Sequence, residues 1–137
     1  VEGQVDCVNK ALSRISLSPE EIELVSLHAT GTSVGDVVET DAMRILFDNN
    51  KNTVFNSAKG AIGHTMGAAG ALELISNLGT FDDNLVYQCC NLDNIDPKCL
   101  LAGVVQGQFI EKKCNYILNN SFGFFGINSS LIVKKYI

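Results

Sequence analysis

Val5, Val8, Leu12 and Ile15 recur at helical spacing along the first stretch of the chain, and the pattern stops at "SLSPEE". That spacing predicts an amphipathic helix. Ser18, Pro19 and Glu21 then carry the marks of a new helical start: a capping hydroxyl, a proline in the first turn where no N–H is needed, and a carboxylate that reaches back to the cap. A short helix here leads into the strand "ELVSLH". Helical spacing returns with Val38, Ala42, Ile45 and Leu46, "DNNKN" breaks it, and the apolar run "TVFNSA" reads as the next strand. In "GAAGALELISNLGTF" a third helix begins with small residues, which lets its first turns pack closely against a backbone. "NYILNNS" and "NSSLIVKKY" read as two closing strands around a glycine-rich loop. Strands alternating with helices imply an α/β fold, and their apolar character implies a sheet covered on both faces.

At 137 residues and 46% hydrophobic, the chain can bury one core, and one domain is expected. Ten basic residues against fifteen acidic ones give a net charge of -5, with no run of Lys or Arg longer than a pair. Nucleic-acid binding through a basic face is therefore disfavoured. No stretch has the length of a membrane span, and "VEGQVDCVNKAL" lacks the charged-then-apolar layout of a signal peptide, so a soluble protein is expected. The five cysteines, Cys7, Cys89, Cys90, Cys99 and Cys114, are odd in number and without paired CxxC spacing. Neither a disulfide framework nor a zinc site is indicated, and a reducing compartment fits best. The adjacent Cys89 and Cys90 read as ordinary thiols.

The unusual polar residues fall at strand ends and helix starts. His28, Lys59 and His64 each follow a strand or sit in a loop opening a helix, among small neighbours. Loops leaving strand ends are where ligands bind in open α/β sheets, so these three side chains are candidates for one site. Taken singly, a histidine is more often a hydrogen-bonded structural residue and a lysine a solvated surface charge. The two histidines with Asp36 match no metal-ligand spacing, and the glycines of "GAIGHTMGAAG" form neither a dinucleotide fingerprint nor a phosphate-cradling loop. No metal site is expected.

The ordered combination "HATGT", "SAKGAIGHTMGAAG" and "NNSFGFFGIN" resembles the C-terminal half of a β-ketoacyl-acyl-carrier-protein synthase, a condensing enzyme of the thiolase fold. The likeness runs from about Leu12 to the end of the chain. It implies the C-terminal half only of a layered α-β-α-β-α fold, spanning residues 1–137 and incomplete on the N-terminal side. It also implies a decarboxylating Claisen condensation, in which a carbanion formed from a malonyl thioester attacks an acyl group held on cysteine. Negative charge develops on a thioester oxygen, and hydrogen-bond donors must await it.

By resemblance, His28 and His64 are the catalytic histidines, acting as neutral N–H donors. Lys59 matches the family lysine, and an ammonium beside His64 would keep that imidazole neutral. Asp36, Glu39 and Glu73 match acids that balance Lys59 and hold loops; for Glu73 a solvated helix face is the competing reading. Thr30 and Thr32 match hydroxyls that bind the phosphopantetheine arm, while Phe122 and Phe124 match a loop beside the acyl pocket, with a role as core aromatics as the alternative. The chain departs from the pattern at Phe125 and Ile127, where small residues are usual, and in "VYQCCNLDNID", which lacks a proline-rich start.

None of the five cysteines has the context of the family nucleophile, at the start of a buried helix in the N-terminal half, so the chain by itself is expected to lack condensing activity. The leading expectation is part of a 3-oxoacyl-[acyl-carrier-protein] synthase of fatty acid elongation, free-standing because "LIVKKYI" leads into no linker. The alternatives are a ketosynthase domain of a polyketide or multidomain fatty acid synthase, or a catalytically silent partner resembling a chain-length factor. The resemblance implies acyl carrier protein as partner, a homodimer for the intact protein, no tightly bound cofactor beyond the carrier's phosphopantetheine arm, and a cytoplasmic, mitochondrial or plastid setting whose targeting region is not in this chain.

Overall fold

The computed structural model describes residues 1–48 and 50–136; Asn49, inside the expected "DNNKN" break, and Ile137 lie outside them. Helix α1 (Glu2–Arg14) buries Val8 and Leu12, as its apolar spacing requires. A single 3₁₀ turn, Pro19–Glu21, follows, with Ser18 N–H donating to Glu21 Oε2 at 2.9 Å in a capping box. The chain continues through β1 (Leu24–Ser26), α2 (Gly35–Phe47), β2 (Val54–Asn56), α3 (Lys59–Ile62), α4 (Ala69–Leu78) and α5 (Thr80–Asp83). It closes with β3 (Leu85–Val86), β4 (Ile110–Glu111), β5 (Tyr116–Phe122) and β6 (Asn128–Lys134).

The main sheet has the order β2-β1-β5-β6, with β1 parallel to both β2 and β5 and with β6 antiparallel to β5. Alternation along each strand divides the core in two. Val25, Phe55 and Leu118 pack with Val8, Leu12, Met43 and Phe47 of α1 and α2. On the other face Leu24 and Ile117 pack with Phe81 and Val86. The sheet is thus covered on both sides where its strands pair centrally, which is why Leu24, Val25, Phe55, Ile117 and Leu118 are apolar at successive positions.

That alternation also sets a polar row. Ser26 is in register with Asn56 on one side and Asn119 on the other, one residue beyond the apolar pairs. All three are buried, and the two asparagines tie the sheet to α4: Asn56 Nδ2 donates to Asn77 Oδ1 at 2.8 Å, and Asn119 Nδ2 donates to the Gly70 carbonyl at 3.4 Å. Gly70 is required there, because a Cβ would press within 2.9 Å of Ser121 Oγ. Of the small residues at the start of this helix, Gly70 lets it approach the Ser121 side chain of β5. Gly67 and Ala68 lie before α4, in a 3₁₀ turn at Met66–Ala68, so the helix starts later than its spacing implies.

Candidate functional site

His28 leaves the end of β1 in a loop whose backbone is held by acids from α2. Its N–H donates to Glu39 Oε1 and that of Ala29 to Glu39 Oε2, both at 2.7 Å. Next along, Gly31 N–H donates to Asp36 Oδ1 at 3.1 Å, and Thr32 N–H to the same oxygen at 3.3 Å. Thr32 Oγ1 accepts from the N–H of Gly35, the first residue of α2, at 3.0 Å and lies 3.3 Å from Thr30 Oγ1. Two carboxylates in the first turns of α2 thereby fix a loop that bends through positive φ at Ala29 (31°) and Gly31 (76°). Asp36 and Glu39 hold the loop.

Lys59 opens α3 and is buried. Its ammonium donates to Glu73 Oε1 and to the His28 carbonyl, and it lies 3.3 Å from His28 Nδ1. Glu73 is fully buried on the inner side of α4, so the solvated-face reading of this acid is excluded. The Lys59 ammonium meets the His28 imidazole, a contact that the sequence reading does not include. Lys59 sits on the first turn of α3, whereas Gly63, at φ 73°, turns the chain before His64.

The two imidazoles nonetheless share one place, with ring centroids 5.5 Å apart and planes at 89°. Phe122, 8% exposed at the end of β5, stands 6.4 Å from the His28 ring, edge to face. Phe124 is 87% exposed and pairs only with the still more exposed Phe125, at 6.5 Å. Of the two aromatic candidates, Phe122 is at the site.

Hydrogen bonds decide the tautomers. Lys59 has only protons to offer, so His28 Nδ1 is the acceptor and the ring proton of the neutral form sits on Nε2. Met66 N–H donates to His64 Nδ1 at 3.2 Å, which leaves Nε2 of His64 protonated as well. This backbone donor, presented at φ 51°, has no signature in the sequence. Burial, then the charge of Lys59, then His64 lower the His28 pKa from 6.5 to about 4. It is neutral at physiological pH.

Glu39 is shifted the opposite way, to about 7, because burial outweighs its two backbone donors. The consequences for stability have opposite signs. Below 6.5 the unfolded chain takes up a proton that folded His28 refuses until about 4, so stability falls as pH drops through that window. Folded Glu39 holds its proton up to about 7, so its contribution is lost as pH rises from 4.5 through 7. The two slopes partly cancel, which makes the ring itself the better reporter. The His28 Hε1 resonance is expected to stay flat from pH 8 to 5 and move only near pH 4; a midpoint between 6 and 7 would contradict the geometry.

Among the described residues, no group of three or more His, Cys, Asp or Glu is placed to hold a metal ion, and no helix is long and apolar enough to cross a membrane. The site brings together two imidazoles, each with Nδ1 facing a hydrogen-bond donor, and sets a buried cation behind His28. Residues 1–93 match the family described as "Beta-ketoacyl synthase, C-terminal domain". The chain is 33% identical to 3-oxoacyl-[acyl-carrier-protein] synthase 1 of Buchnera aphidicola subsp. Baizongia pistaciae, over 98% of this chain and 32% of that one. It is 37% identical to the chloroplastic 3-oxoacyl-[acyl-carrier-protein] synthase II of Arabidopsis thaliana, over 98% of this chain and 25% of that one. The crystal structure of a beta-ketoacyl synthase from Burkholderia phymatum superposes with a TM-score of 0.91 at 31% identity, covering 98% of this chain and 32% of that one. The chain thus spans a third or less of the length of these relatives.

Proposed function

The chain belongs to the β-ketoacyl synthase family, with the thiolase-like α/β fold of its C-terminal domain, and on that footing we propose that it supplies the decarboxylation and oxyanion machinery of a 3-oxoacyl-[acyl-carrier-protein] synthase. The carrying observation is the pair of imidazoles 5.5 Å apart, each with Nδ1 occupied and Nε2 protonated. Two neutral donors at that separation can meet one thioester oxygen.

The malonyl group arrives on the phosphopantetheine arm of an acyl carrier protein, which the Thr30 and Thr32 hydroxyls receive. As the carboxylate leaves as carbon dioxide, its bonding electrons move to the adjacent carbon and onto the thioester oxygen. The two Nε2–H groups stabilise that enolate without giving up a proton. A charged imidazolium would bind the ground-state carboxylate too, so a depressed His28 pKa favours the transition state over the substrate. Lys59 acts through His28, holding its tautomer, its backbone carbonyl and its neutral state.

The acyl group needs a thiol that these residues do not bring to the histidines. Cys7 lies on α1, Cys114 is buried ahead of β5, and Cys89, Cys90 and Cys99 line a cavity whose walls include neither histidine. The test is formation of 3-oxoacyl product from acyl- and malonyl-carrier protein. The 137-residue chain alone should form none, and the full-length polypeptide that carries it should form product. Product from the purified chain, or none from the full-length protein, would overturn this assignment.

A further inference from the structure

Behind the His28–Thr32 loop, with neither imidazole in its walls, lies a cavity of about 290 Å³. Cys89, Cys90 and Cys99 all line it. Leu27, Leu92, Ile95 and Val104 make much of the wall apolar, with the Thr30, Thr40 and Ser57 hydroxyls at its edges, whereas Asp36 and Glu39 are occupied by loop N–H groups and Lys59 by Glu73. The frame is held on two sides. Cys89 N–H donates to the Val105 carbonyl at 2.8 Å, and Asn91 Nδ2 donates to the Gly60 carbonyl at 2.7 Å. A Cβ on Gly60 would collide with the Cys90 carbonyl oxygen, so the thiol-bearing segment lies directly on the first turn of α3.

This cavity is at the small end of the range for ligand pockets, preformed, apolar and rich in thiol. The thiols are not arranged as metal donors. An anionic ligand would face the Asp36 and Glu39 side chains. What remains is a soft, uncharged electrophile. We propose that the cavity is a covalent docking site for small apolar α,β-unsaturated carbonyl compounds, which bind reversibly and then add to one of its three thiols.

In the addition, sulfur forms a bond to the β-carbon, the carbon–carbon π bond breaks toward the α-carbon, and the thiol proton ends on that carbon. Nothing leaves, and no oxidant or reductant is consumed. Burial raises the pKa of Cys89 and Cys99, so neither reacts fast with a reagent in free solution. Reaction here depends on residence in the cavity, which predicts saturation. Half-buried Cys7, on α1, is the internal reference.

The experiment is a time course of N-phenylmaleimide labelling of the chain, followed by intact mass and peptide mapping. The rate at Cys89, Cys90 or Cys99 should rise hyperbolically with reagent concentration, while the rate at Cys7 rises linearly. The loop variant Ile95→Trp keeps every thiol and fills the cavity; it should slow cavity labelling by about tenfold and leave Cys7 unchanged. Linear kinetics at all sites, adducts confined to Cys7 or Cys114, or equal rates in Ile95→Trp would overturn the proposal.

Discussion

Lys59→Met is expected to destabilise the fold by about 3–5 kcal/mol, the usual loss when one partner of a buried ion pair is removed. The Lys59 and Glu73 side chains are 6% and 0% exposed, so the deleted ammonium leaves a carboxylate with no solvent to turn to. Burial already raises the Glu73 pKa, and hydrogen bonding and charge from Lys59 hold that shift down. Without Lys59 only the weaker pull of His64 opposes the rise. A carboxyl group whose folded pKa is raised contributes stability at low pH that is lost as pH rises, so the deficit should be largest at pH 8 and shrink toward pH 5. Urea unfolding of the chain at both values measures this directly. Lys59→Met/Glu73→Leu should recover much of the loss, since an apolar pair of similar volume carries no stranded charge. A single variant within 1 kcal/mol of the parent at pH 8 would mean that solvent reaches the pair.

In the full-length protein, His64→Ala should lower decarboxylation of malonyl-carrier protein by about two to three orders of magnitude, the loss typical of one oxyanion donor. The argument rests on the tautomer. Met66 N–H occupies Nδ1, so Nε2–H is the donor that alanine removes. His64→Gln, which can place an amide N–H near the same point, should retain more of the rate than alanine. The folding penalty should be small, because His64 is exposed and its ring accepts a single backbone hydrogen bond. A purely structural histidine would behave the other way, losing stability and every partial reaction together.

Much of this arrangement was legible in the chain. Apolar spacing located α1 and α2, apolar runs located the four strands of the main sheet, and the capping residues Ser18, Pro19 and Glu21 marked a helical start that is a single 3₁₀ turn. The polar residues at strand ends marked His28, Lys59 and His64 as one candidate site. Glu73 as a counter-charge to Lys59 was among the expectations, but the contact of Lys59 with His28 was not legible, because it depends on where a four-residue helix points its first side chain, and four residues are too few to show a period. The pairing of β3 with β4 escaped for the same reason, each strand being two residues long. Phe122 and Phe124 carry the same letter, yet one closes β5 against His28 and the other stands in solvent. Only the register of the turn separates them. The thiol-lined cavity joins segments near residues 30, 60 and 90, and no local pattern encodes that meeting.

Two imidazoles that only stabilise an enolate take no part in loading the acyl chain. Labelled acyl-enzyme formation, recorded beside carbon dioxide release on full-length His64→Ala with an unchanged melting temperature, separates the two steps. Acyl transfer close to that of the parent, with carbon dioxide release reduced by about two to three orders of magnitude, is the predicted result. Equal loss of both steps, or loss of neither, would contradict it and remove His64 from the catalytic site.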